Sequence, residues 1–143
     1  MTTTHEAAVA AFAAAMTAAL TPAFVTRDPD KAVDIEPDGT VVVVDGEPGD
    51  PEVIIGGPSY AWTRHAELHV MAVGDNRTAI VDGILAKIDP KLALDRTLGG
   101  TVDYASCTLA PAVEEVPVEG SETVRVALVK VQLEYTTATS AVG

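Results

Sequence analysis

From Tyr60 to Val73 the chain alternates with a period of two, and this run constrains the fold more than any other stretch. The even positions Tyr60, Trp62, Ala66, Leu68, Val70 and Ala72 are apolar, interrupted by Arg64, while the odd positions Thr63, His65, Glu67 and His69 are polar. Successive side chains of an extended strand point to opposite faces, so this pattern describes a long strand with one face on a core and the other turned away from it. A strand of that length cannot stand alone. It requires sheet partners on both sides and a layer over its apolar face, and it predicts that Trp62 and Leu68 are buried against a helix.

The flanking sequence supplies the pieces. Thr3 followed by Glu6 fits a capping box, in which hydroxyl and carboxylate satisfy each other's free amides at a helix start. Val9, Phe12, Met16 and Leu20 then form one apolar stripe at helical spacing, and Pro22 closes it. Val41–Val44, ending at Asp45-Gly46, predicts a short strand, with Ile54-Ile55 returning beside it. After the long strand, Gly74-Asp75-Asn76 breaks the pattern and offers a cap. Val81, Leu85, Ile88 and Leu92 then align as a second helical stripe, which Pro90 should kink or restart because proline donates no interior hydrogen bond. Gly99-Gly100 ends this region, with Asp95-Arg96 as an ion pair at the helix end. Thr101 to Leu109 predicts a third long strand, and Thr123 to Tyr135 the last one. The expectation is therefore an α+β domain over 1–135, with a mainly antiparallel, possibly mixed, β-sheet of about four strands packed by two helices in the order α-β-β-α-β-β. A small, polar, flexible C-terminal tail follows over 136–143.

Charge locates the loops. The 143 residues carry 9 Lys plus Arg against 21 Asp plus Glu, a formal charge of −12. Nearly all of the excess lies in two stretches. Arg27 to Pro58 holds nine acids and two bases, and Pro111 to Glu122 holds Glu114, Glu115, Glu119 and Glu122 with no base. Both are rich in Pro and Gly and read as solvated loops. The balance is the reverse of a basic footprint for gripping phosphates. No apolar run approaches the ~20 residues of a membrane-spanning helix, and the Ala-rich start has no cationic leader, so the expectation is a soluble, reduced-compartment protein. The apolar fraction is 48%, but 23 Ala and 20 Val stand against six aromatics, so the core is built from small pieces.

Chemistry is scarce. His65 and His69 would share a metal on a helix, but on a strand they lie ~13 Å apart, too far for one ion. Cys107 is the sole cysteine and has no activating motif, which points to a small packed side chain rather than a nucleophile. Gly56-Gly57-Pro58 and Gly99-Gly100 lack the Lys and Ser/Thr of a phosphate-binding loop. Catalytic residues, cofactors and metals are accordingly expected to be none. The polar ladder of His65, Glu67 and His69 is expected either to face solvent or to form a subunit interface. The loop with Glu114, Glu115 and Glu119 is expected either to keep the chain solvated or to act as a partner-docking loop.

The layout resembles the tail terminator, or tail completion, proteins of long-tailed bacteriophages and phage-like gene transfer agents. Three stretches carry the resemblance. These are Val41 to Val53 with its acidic Gly/Pro turn, the long strand with Tyr60 and His65-Ala66-Glu67-Leu68 leading into the second helix, and Asp95-Arg96-Thr97-Leu98-Gly99-Gly100-Thr101-Val102-Asp103 continuing through Pro117-Val118-Glu119-Gly120 to Tyr135-Thr136-Thr137. The resemblance implies a structural virion component that is not an enzyme. It would form a homo-hexameric ring that caps the tail tube, stops its polymerisation and meets the head-side connector or stopper protein. DNA would pass through the ring without sequence-specific binding. The subunit would be made in the bacterial host cytoplasm and end in the neck of the particle. No site residue is carried over from the family. The competing reading is a small α+β enzyme or ligand-binding domain whose pocket the sequence does not reveal.

Overall fold

The computed structural model describes residues 3–27, 34–46, 50–54, 59–108, 111–118 and 122–138. The elements run α1 (Thr4–Ala19), β1 (Phe24–Arg27), β2 (Thr40–Asp45), β3 (Glu52–Ile54), β4 (Ser59–Val73), α2 (Arg77–Leu94), β5 (Tyr104–Cys107), β6 (Ala112–Val116) and β7 (Val124–Thr137). The class is α+β with two helices, as the sequence implies, but the sheet is larger and mixed. It has seven strands among the described residues, in the order β1-β2-β4-β7-β5, with β3 added to β4 and β6 to β7. The β1–β2 pair is parallel and all other pairs are antiparallel.

The three extra strands are short, and only β3 has a counterpart among the sequence expectations, the Ile54-Ile55 pair set beside Val41–Val44. β1 is four residues with no alternation of its own. β3 is three fully exposed residues, and it pairs with β4 rather than with β2. β6 lies inside the acidic stretch read as a loop, and its residues are exposed throughout. A strand that buries no side chain leaves no hydrophobic pattern to find. The strand expected over Thr101–Leu109 is also shorter, because Thr97 to Asp103 form turns ahead of Tyr104. β7 conversely runs through Thr136 and Thr137, which the sequence reading placed in the tail; residues 139–143 lie outside the described set.

β4 and β7 are the centre of the molecule, paired in unbroken register from Tyr60↔Thr137 to Val73↔Val124. Their inward faces coincide: Trp62 sits across from Tyr135, Ala66 from Val131, Leu68 from Val129 and Val70 from Ala127, with Val43 and Val41 of β2 continuing the same rows. These residues form one core with Val9, Phe12, Met16 and Leu20 from α1 and with Val81, Ile84, Ile88 and Leu92 from α2. Both helices therefore cover the same face of the sheet.

Local chemistry sets the ends. Thr3 Oγ1 accepts the Glu6 amide at 3.1 Å, one half of the expected capping box. The other half does not form, because the Glu6 carboxylate instead takes both terminal nitrogens of Arg27 at 2.7 and 2.9 Å. Pro90 does not divide α2, which continues as one element to Leu94. Asp95 does not pair with Arg96 either. It accepts from Thr97 Oγ1 at 2.9 Å and from the Gly99 amide at 2.8 Å, while Arg96 donates to the Ala105 carbonyl and lies over the Tyr104 ring. Gly46 is where β2 leaves β4, and a Cβ there would stand 1.9 Å from the His65 carbonyl oxygen, so only glycine fits.

Candidate interaction surface

Since both helices lie on one side, the opposite face of the sheet has no described helix over it. Strand alternation puts Val42 and Val44 of β2 on this face. From β4 it receives Thr63, His65, Glu67, His69, Met71 and Val73, and from β7 Val124, Val126, Leu128, Lys130, Gln132 and Glu134. The register sorts them. His65 faces Gln132, Glu67 faces Lys130, and Thr63 faces Glu134, making a polar end. His69 faces Leu128 on one side and Val42 on the other, Met71 faces Val126, and Val73 faces Val124, making an apolar end.

The three ladder residues thus share one face, as the alternation requires, but they are not equivalent. His65 is exposed. His69 and Glu67 are half-buried, and His69 Nε2 lies 3.2 Å from Glu67 Oε2. His65 and Glu67 border a shallow depression with Thr108, Lys130 and Gln132. A second depression at the apolar end is lined by Ala112, Val113, Glu114, Val126 and Leu128. Among the described residues no group of three or more His, Cys, Asp or Glu is arranged to hold a metal ion.

The acidic segment splits in two ways. Glu114 is exposed and points to the open face opposite Val126. Glu115 points to the helix side, where its two oxygens take Arg77 Nε at 2.8 Å and Arg125 Nη1 at 2.9 Å. These two guanidinium hydrogen bonds hold the Glu115 carboxyl below its ordinary range. Glu115 therefore ties β6 to the start of α2. Glu119 lies outside the described residues.

Two features escaped the sequence reading. The first is a buried polar cluster under α1. His5 is 4% exposed, its Nδ1 is hydrogen-bonded to the Tyr135 hydroxyl, and its ring packs edge-on against Trp62 and Tyr135. His5 Nε2 has no partner among the described residues. Burial, helped by the nearby Arg64 charge, lowers the His5 pKa, and burial raises that of Tyr135. Trp62 Nε1 donates to Thr137 Oγ1 at 2.8 Å, closing the same corner. No local signal marks His5, because its partners lie about 60 and 130 residues away, a separation only the fold bridges. The second is a cavity of about 350 Å³ between α2 and the β5–β7 edge, lined by Leu85, Ile88, Asp89, Cys107, Thr108, Pro111 and Val129. Cys107 is half-buried there, and burial together with Asp89 pushes its thiol up to about 12, so it is protonated near neutrality.

Among the described residues no helix is long and apolar enough to cross a membrane. The sequence matches no family model and no curated protein.

Proposed function

We propose that the chain is a structural subunit of the tail-terminator kind. It assembles as a homo-hexameric ring at the end of a tail tube in the neck of a phage or phage-like particle, after synthesis in the bacterial host cytoplasm. The ring stops growth of the tube and meets the head-side connector or stopper protein, and DNA passes through it. The observation that supports this reading is the one-sided sheet: a face spanning β2, β4 and β7 that graded polar and apolar residues fill and no described helix covers. Such a surface suits contact with protein more than with a small substrate. The excess of carboxylates supports it further, because acidic loops near a channel disfavour adhesion of phosphate, within the ~8 Å that physiological salt leaves unscreened. Binding here needs no catalytic group and no cofactor.

The test is to mix the purified chain with polymerising tail tube protein and image the products. Tubes of limited length with a ring at one end are the expected result, and tubes that grow without limit and carry no added density overturn the proposal. Within it, Glu114 is exposed on the open face, while Glu115 also holds β6 in place. Changing Glu114, Glu115 and Glu119 together to Gln should give tailless heads or overlong tubes if the segment docks a partner. DNA retained in the tail at low salt would instead show that it lines the channel.

The cavity beside Cys107 favours a second reading, a ligand-binding α+β domain, because its volume falls in the range of ~300–1,000 Å³ typical of small-molecule sites. A compound that raises the melting temperature and shields Cys107 from thiol reagents would establish it.

A further inference from the structure

Among the described residues eight large hydrophobic side chains are exposed, and seven of them fall into two groups. Phe24 of β1 and Val53 and Ile54 of β3 lie on one side of the β4–β7 pair. Tyr104 of β5, Val113 and Val116 of β6, and Val118 just past it, lie on the other. The exception, Leu94, ends α2. On an acidic surface this distribution is not scattered: it marks the two opposite edges of one sheet. Each edge is also a row of backbone groups. β1 pairs only with β2, and β6 pairs only with β7, so each has an outward row of N–H and C=O groups that no described strand takes up.

We propose that neighbouring copies of this chain join edge to edge, β6 of one adding to β1 of the next, so that the sheet continues from subunit to subunit. This rests on the ring reading above and moves the subunit contact from the polar face to the edges, leaving that face to the tail tube. A closed ring needs a head-to-tail contact between two unlike patches on opposite sides of one subunit, and the two edges are such a pair. Their lengths match, with four residues in β1 and five in β6. Pro111 and Pro117 bracket β6, and neither donates an N–H, so the added pairing stops where the strand stops. Main-chain bonds hold the contact, and Phe24 and Val116, whose side chains share the open face of the sheet, meet across it. The occupant is a second copy because the same molecule presents both the apolar strand and an apolar edge to receive it. Each copy carries a charge of −12, so repulsion opposes the contact, and association strengthens as salt is raised.

Two variants decide the matter, Phe24→Asp on one edge and Val116→Asp on the other, each checked for native circular dichroism. Sedimentation of the wild-type chain at rising salt should show assembly, and each variant alone should associate at least about tenfold more weakly. Mixed together, the two should form a one-to-one pair and go no further, since each retains the edge that the other lacks. Wild-type protein that stays monomeric at high salt, variants that assemble like wild type, or a mixture that does not pair would each overturn the proposal. A wild-type chain that assembles edge to edge but leaves tube growth unlimited upholds the edge pairing and removes the tail-terminator reading instead.

Discussion

The two faces of the β4–β7 pair are made from the same fifteen and fourteen residues, yet they obey different rules. On the helix side the central rows are closed. Trp62, Ala66, Leu68 and Val70 are at most 6% exposed, and so are Tyr135, Val131, Val129 and Ala127 across from them. Arg64 and Arg125 are the half-buried exceptions. On the open side, apolar and polar residues share the ladder and most are only half-buried. The covered face answers to packing, where a missing methylene leaves a void that neighbours cannot fill. The open face answers to solvent and to whatever docks there. A change on one face should therefore be read as stability, and a change on the other as assembly.

The largest effect expected is on the covered face. Leu68 is fully buried in the central strand, and Leu68→Ala should cost about 2–5 kcal/mol in chemical denaturation. A loss no larger than a surface change of ~0.5 kcal/mol would reverse the assignment of faces. Next comes the corner under α1. Thr137→Val removes the acceptor of the Trp62 indole and should cost about 1–3 kcal/mol, the usual penalty for an unpaired buried donor. A neutral result would mean that water replaces Thr137 there.

His5 sharpens the contrast through pH. Its pKa is lowered in the folded chain, so the unfolded chain binds the proton first. The stability it contributes is complete above the ordinary histidine value of about 6.5 and falls as the pH drops through and below that value, until the folded pKa is reached. The charges near it do not reverse this sign. Arg64 on β4 repels an imidazolium, Tyr135 on β7 is neutral, and Glu6 on α1 and Asp45 on β2 are both engaged by Arg27. Denaturation midpoints measured from pH 7.5 to 5 should fall more steeply for wild type than for His5→Phe, and parallel curves would remove His5 as the cause.

The smallest effect belongs to the open face. His65→Asp with His69→Asp puts two carboxylates beside Glu67 where neither side chain is buried, so stability should stay within about 0.5 kcal/mol while binding to tail tube is lost. A large loss of stability would show that this face is held inside the fold rather than presented by it.

The long elements were legible because they are periodic over many residues. The β4 alternation, the α1 and α2 stripes and the second half of β7 each state which side is dry, and the burial of Trp62 and Leu68 follows from the pattern alone. The joint face of His65, Glu67 and His69 was legible for the same reason. What sits across from it was not, since the pairing of Glu67 with Lys130 and of His69 with Leu128 depends on which strand lies next to β4 and in which register. Glu115 shows the limit at a single residue. In sequence it is one acid in a run of acids, and only the approach of Arg77 from α2 and Arg125 from β7 distinguishes it from Glu114 beside it.

By itself, then, the sequence determined an acidic α+β chain with two amphipathic helices and a central strand dry on one side, because hydrophobic periodicity is a local property that survives without a fold. Tertiary structure alone decided the seven-stranded mixed sheet, the one-sided placement of both helices, the buried His5–Tyr135–Trp62 corner and the two apolar edges. Each of these depends on backbone hydrogen bonds or side-chain contacts between distant segments. β1 and β6 in particular are strands only because a neighbour's backbone accepts them, and backbone pairing carries no side-chain signature to read in advance.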